Sequence, residues 1–410
     1  MKIAGIITEY NPFHLGHKLH LEKTKKLTNC DAVVCLMSGH FVQRGAPAII
    51  DKWSRAQMAL DNGIDLILEL PTVYAVSSAE FFASGAVSIL NSLNVIDSIA
   101  FGSECGDINL LIQISSILSN ESNEFKETIK KFLNEGYPVA VSRSKAILEI
   151  MQSLNLSYDE DYLKKQLNSS NNILGIEYLK AILRLKSNII PYTFKREGAL
   201  YNDKELNKDF SSASSIRNYL KANNVVDDLK AHLPMESYNI LSKLSLENYD
   251  FAFEEKIFSY VKYKILTDPK SLSLIPDASE GLDNKIINEL QNSNNLNELI
   301  LNCKSKRYTY TRISRILAQF FIGLEKYPLT ELRKKQPDKV RILGLNQKGA
   351  EIIKRIKKES SIELINKPKK PFSDIYTIDI QASKAYSLIC KNIKMDNEFK
   401  QSPLIKMNEI

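Results

Sequence analysis

The first hundred residues alternate short, wholly apolar runs with amphipathic ones. Lys2–Ile7, Ala32–Met37, Asp65–Leu70 and Val95–Phe101 read as strands, and Gly16–Leu27, Lys52–Asp61 and Ser78–Leu93 between them as helices. Runs apolar on both faces and separated by helices predict βαβ units, hence a parallel sheet covered on both sides. Residues 106–186 read almost entirely as helix. Asn188–Phe194 then looks like a strand, interrupted by Pro191, and a helix follows Ser214. The pattern predicts an α/β domain over residues 1–225, a doubly wound parallel sheet with a helical insertion before its last strand. From residue 226 to 410 the texture is mainly helical, as in Phe251–Leu266 and Tyr310–Leu324. A small α/β piece is expected at 338–410, from strand Arg341–Leu345, helix Gly349–Lys358 and strand Ile362–Ile365.

A chain of 410 residues is too long for one small core, which agrees with two or three domains. No apolar run approaches the roughly 20 residues that span a bilayer, and the N-terminus lacks the regions of a signal peptide, so no membrane partner is expected. The five cysteines, Cys30, Cys35, Cys105, Cys303 and Cys390, are scattered without CxxC spacing. Neither a zinc site nor a disulfide framework is indicated, and a cytoplasmic protein with reduced thiols is expected.

Charge is unevenly spread. Residues 1–100 carry 8 Lys+Arg against 9 Asp+Glu, whereas 301–410 carry 24 against 11. Two accounts fit the basic C-terminal part, a polyanionic partner or a solvated lysine-rich surface. There Lys304, Lys306, Arg307, Arg312 and Arg315 interleave with Tyr308 and Tyr310. Cations beside aromatic rings suit RNA, through phosphate contacts and stacking on unpaired bases. Ile313, Ile316, Leu317 and Phe320 read as core. Lys367-Pro-Lys-Lys-Pro371 is a basic loop.

Four of the five histidines, His14, His17, His20 and His40, fall in the first 40 residues. His14-Leu15-Gly16-His17 has the form HxGH, between the first strand and the first helix. Ligands of doubly wound sheets bind beyond the carboxyl ends of the strands, where helix N-termini offer free N–H groups to phosphates. Gly16 lets a nucleotide approach the backbone, and two imidazoles at this turn supply donors for charge building on phosphorus. The competing account is that the histidines only cap and pack. Further on, Ser212-Ala-Ser214-Ser215-Ile-Arg217 places hydroxyls at a helix start with an arginine one turn later, an arrangement that either clamps phosphates or is a serine N-cap beside a surface arginine.

The HxGH string resembles the HIGH-type nucleotidyltransferase superfamily. The wider Gly5-Ile-Ile-Thr-Glu-Tyr-Asn-Pro-Phe-His-Leu-Gly-His17 is similar to the bacterial tRNA(Met) cytidine acetate ligase family. The resemblance continues in Met37-Ser-Gly-His-Phe-Val-Gln-Arg-Gly45, Leu68-Glu-Leu-Pro71, Phe101-Gly-Ser-Glu104, Asn171-Asn-Ile-Leu-Gly175 and Lys195-Arg-Glu-Gly198. It extends more weakly to Arg312-Ile-Ser-Arg315 and Arg341-Ile-Leu-Gly344. His40 departs from it, because the family more often has Asn there. The resemblance implies ATP as substrate, with Mg²⁺ accompanying it and no tightly bound cofactor. It implies an ATP site built from Ile7, Thr8, Glu9, Tyr10, Asn11, Pro12, Phe13, His14, Leu15, Gly16, His17, Lys18, Leu19 and His20, with Gly102, Asn171, Arg196, Ser214 and Arg217. His14 and His17 are the expected catalytic pair, and acetate and elongator methionine tRNA the expected partners, with no DNA. Arg44, Lys306, Arg307, Arg312 and Arg315 are the expected tRNA contacts. The implied product is N4-acetylcytidine at the wobble position, by way of an acetyl-adenylate. The alternative is a small-molecule nucleotidyltransferase or carboxylate–amine ligase of the same superfamily that does not act on RNA.

Overall fold

A computed structural model of the chain describes residues 1–154, 156, 158–196, 211–223 and 226–406. The expected strands are present as β1 (Ile3–Thr8), β2 (Ala32–Ser38), β5 (Leu66–Leu70), β6 (Ser98–Ser103) and β7 (Ile190–Lys195), and a hairpin of β3 (Phe41–Val42) and β4 (Ala46–Pro47), not expected, follows β2. Helix α1 (Leu15–Thr28) follows β1, and α2 (Lys52–Asp61) precedes β5. Three aspartates mark strand starts that hydrophobicity alone does not. Asp31 accepts from Lys2 N, Asp65 from Val33 N and Asp97 from Ile3 N, each at 2.7–2.8 Å. These carboxylates satisfy amide groups at the amino edge of the sheet, and β6 accordingly begins at Ser98, just after Asp97.

Strands β5, β2, β1, β6 and β7 lie side by side in that order, all parallel. The order reverses direction at β1, so a crevice opens beyond the carboxyl ends of β1 and β6. Strands β2 and β5 are buried along their whole length. Strand β7, with Pro191, is an edge strand and only partly buried, as a proline without an N–H requires. The expected helical insertion fills the interval between β6 and β7, with five helices among the described residues, from Ile108–Asn120 to Ser170–Arg184.

The C-terminal α/β piece does not close on itself. Strand β8 (Lys339–Asn346) runs antiparallel to β5, and β9 (Glu363–Ile365) and β10 (Leu404–Lys406) pair parallel with β8. Among the described residues the sheet therefore has eight strands, and residues 339–406 extend the N-terminal one at its β5 edge. The polar tie beneath this join is buried. Lys52, at the start of α2, lies 2.7 Å from Glu69 and 2.8 Å from Glu398, and Glu398 lies 3.2 Å from Arg341. From residue 226 to the start of β8 the chain is helical, as expected. The helix expected from Phe251 starts at Phe258, because Glu254–Ile257 winds as a 3₁₀ turn.

Candidate active site

The cleft at the topological switch point is built on the turn between β1 and α1. His14 is the N-cap of α1. Its Nδ1 accepts from Gly16 N at 3.0 Å, and its own backbone N–H points at His17 Nδ1 at 3.3 Å. The motif is thus a capping box written in imidazoles. Gly16 serves it sterically, since a Cβ there would lie 2.8 Å from the His14 ring. An Nδ1 that accepts an N–H holds no proton, so the neutral ring carries its proton on Nε2, turned away from the helix. The two rings lie 3.8 Å apart, centre to centre. Burial holds His14 neutral, down to about 3, and the Arg196 and Arg217 cations add to this. Burial likewise depresses His17, with His14, His20 and Arg196 contributing and the Pro12 carbonyl opposing.

His20 has a different task. Its Nε2 donates to Ala100 O at 3.2 Å and so ties α1 to β6 across the mouth of the crevice. Arg217, on helix Ala213–Asn223, donates to Asn11 O at 2.7 Å and to Ser214 Oγ at 3.2 Å. It therefore fastens the late serine motif to the segment just before HxGH. Ser212 Oγ caps that helix by accepting from Ser215 N at 3.1 Å.

The cleft encloses about 210 Å³. Of the expected nucleotide residues, Ile7, Thr8, Glu9, Tyr10, Asn11, His14, Gly16, His17, Leu19, His20, Gly102, Asn171, Arg196, Ser214 and Arg217 line it, as does Arg44. Pro12, Phe13, Leu15 and Lys18 do not. Phe13 is core, with its ring 4.5 Å from Tyr10. Gly102 lies under the Arg196 stem, and a Cβ there would meet Cγ at 2.9 Å. Asn171 gives its Nδ2 to Glu104 Oε1 at 2.7 Å. Its neighbour Asn172 is fully buried and accepts from Glu104 N and Cys105 N, locking the insertion onto the end of β6. Of the Lys195–Gly198 motif, Glu197 and Gly198 lie outside the described residues.

Several lining residues were not expected, among them Lys23, Leu174, Tyr178, Phe194 and Ser211. Helical spacing would have found some of them. Lys23 continues the three-residue step His14, His17, His20, and Leu174 and Tyr178 continue the face of Asn171. Lys23 sits 5.3 Å from the Phe194 ring centre.

The expected tRNA contacts divide. Arg44 is at the cleft, on the turn of the β3–β4 hairpin. Lys306 and Arg307 are exposed, but Arg307 and Arg312 share Glu280, each at 3.4 Å. Arg315 is partly buried near Asp277 and Arg333, and its backbone packs on the hairpin, where Ser314 Oγ donates to Gly45 O at 2.9 Å. His40 is not in the cleft. It is buried, stacks on Tyr386 at 4.4 Å and meets Ser383 Oγ at 3.1 Å.

Residues 1–401 match the model of the HIGH Nucleotidyl Transferase family. The chain belongs to this family. Among curated HIGH nucleotidyl transferases it is 51% identical over 407 residues to the tRNA(Met) cytidine acetate ligase of Clostridium perfringens, covering 99% of this chain and 100% of that protein. It is also 51% identical to the protein of the same name from Clostridium novyi over 406 residues, covering 98% and 99%. The solved structure of Thermotoga maritima TmcAL bound with alpha-thio ATP superposes over the whole of both chains, with a TM-score of 0.88 and 30% identity. The resemblance read from the HxGH string and its companions thus holds along the entire chain. Among the described residues no helix is long and apolar enough to cross a membrane.

Proposed function

We propose that this member of the HIGH nucleotidyl transferases is an ATP-dependent ligase that acetylates the wobble cytidine of methionine tRNA. The observation that carries the reading is the pair of neutral imidazoles at the open end of the sheet. Full-length relatives named for this activity, and a like-folded protein holding an ATP analogue, support it. ATP lies in the cleft with its adenine toward Gly102 and Asn171 and its β- and γ-phosphates toward Ser214, Arg217 and the start of their helix. An acetate oxygen attacks the α-phosphorus, the bond to the bridging oxygen breaks, and pyrophosphate leaves with acetyl-adenylate formed. His14 donates from Nε2 to the phosphate oxygens as charge builds there, with His17 beside it. Being neutral before ATP binds, the pair is fixed in position rather than called on to titrate.

The cytidine N4 then attacks the acetyl carbon, loses a proton, and AMP departs with the electron pair. No side chain of the enzyme becomes acylated. Among the described lining residues Glu9 is the only carboxylate, and its Oε1 accepts from Gln43 N at 2.9 Å. Mg²⁺ would travel with the triphosphate, and no step here runs through it. The test is incubation with ATP and labelled acetate, with and without bulk tRNA. Label is expected in tRNA and, after nuclease digestion, in a modified cytidine. Turnover indifferent to RNA would instead assign the cleft to a small-molecule ligase.

A further inference from the structure

The sheet has a second feature on its ligand-side half, away from the nucleotide cleft. Thr8 of β1 pairs with Met37 of β2, which pairs with Glu69 of β5. Strand β8 crosses β5 with Leu68 opposite Ile342, and its Arg341 pairs with Ile365 of β9. The end of β9 is therefore level with the end of β1, four strands away, or about 19 Å at ordinary strand spacing. The chain leaves β9 into Asn366-Lys-Pro-Lys-Lys-Pro-Phe372 and then enters helix Asp374–Ser387. A cavity of about 150 Å³ lies between this loop, the β9 edge and the first turn of that helix.

This cavity is positively charged. Lys339, Lys367 and Lys369 line it, and Lys370 follows in the loop. Two carboxylates, Glu363 and Asp374, stand nearby. Glu363 is taken by Lys339 at 2.8 Å. Lys367, Lys369 and Lys370 are exposed, and among the described residues none has an ion-pair partner. Pro368 and Pro371 each fix a backbone angle, so less order remains to be imposed on the lysines when they meet an anion. Phe372 lines the cavity half-buried, a flat ring beside the cations. Of the cations around helix Tyr310–Ile322 that were expected to hold RNA, Lys306 is exposed, but Arg307 and Arg312 share Glu280 and Arg315 turns partly inward.

We propose that the Asn366–Phe372 loop is a second RNA-binding surface, one that grips backbone phosphates of the tRNA while its anticodon base occupies the cleft. The inference rests on the reading of the cleft as that of a tRNA-acting ligase. A row of exposed lysines without carboxylate partners recognises phosphates rather than sequence. Its place, level with the HxGH strand and on the same half of the sheet, lets one RNA reach both.

The test uses the full chain with Lys367→Ala, Lys369→Ala and Lys370→Ala combined. Lys126→Ala, Lys130→Ala and Lys164→Ala, on the exposed helices of the insertion, remove the same charge elsewhere. Binding of methionine tRNA is measured over about 50 to 200 mM salt, with thermal melting to show that each variant is folded. The loop variant is expected to bind at least tenfold more weakly, with a log–log salt slope shallower by about 2 to 3. The insertion variant is expected to bind as the parent does. Equal affinity and slope in the loop variant and the parent would overturn the proposal, as would equal losses in both variants. A parent that binds no tRNA would instead sink the ligase reading and this inference together.

Discussion

His14 carries two roles in one ring. Its Nδ1 is a helix cap, and its Nε2–H is the donor left over. The roles separate by mutation. His14→Asn keeps a good capping side chain but loses the imidazole donor, whereas His14→Ala loses both. Both variants are expected to slow ATP–pyrophosphate exchange by about 10²-fold, the scale of one lost electrostatic donor. Only His14→Ala is expected to lose about 1 kcal/mol of stability in urea titrations. Equal stability in the two would mean that the cap is not holding the turn. The buried histidines also set a pH dependence. Burial first of all depresses His14 to about 3 and His20 to about 4, and lowers His17 and His40 as well. The unfolded chain takes up these protons near pH 6.5 while the folded one does not. Stability is therefore complete above about pH 6.5 and is expected to fall as pH drops from there toward 4. Urea midpoints at pH 7.5, 6.0 and 5.0 would show it, and a flat midpoint would contradict it.

At the scale of elements, the hairpin of β3 and β4 joins the cleft to the C-terminal half. It holds Arg44 at the cleft on one side and packs on helix Tyr310–Ile322 on the other. Gly45 makes this possible, with φ of +78° and a backbone so close that a Cβ would lie 2.3 Å from Arg315 N. Gly45→Ala is expected to destabilise by about 1 to 3 kcal/mol, through a strained backbone and a backbone clash that no rotamer relieves. Chemical denaturation gives that value, and an unchanged midpoint would mean that the hairpin is not pinned. The sequence displayed Gly45 as part of a motif, but not its contact. That contact joins residues 269 positions apart, as the Ser314–Gly45 hydrogen bond records. Helix α1 is the opposite case, because its cap, its glycine and its histidines are neighbours in the chain and could be read directly.

At the scale of the whole molecule, the two halves share one sheet and one buried charge cluster. Lys52 is fully buried between Glu69 and Glu398. Lys52→Met removes the cation from two carboxylates that stay buried, and is expected to cost about 3 to 5 kcal/mol. A loss near zero in calorimetry would show that the cluster relaxes or takes in water. The sequence by itself determined the alternation of strands and helices that makes a parallel sheet, the helical insertion and the HxGH turn. Those features depend on local periodicity, capping and residues a few positions apart. Only the tertiary structure decided that β8 to β10 continue that sheet, that Arg312 is spent on Glu280 and Arg315 packs inward, and that the Lys367–Pro371 loop comes level with the HxGH strand. Each of these is a pairing between distant segments. A pattern of apolar and charged residues says which groups need partners, and folding alone says which partners they find.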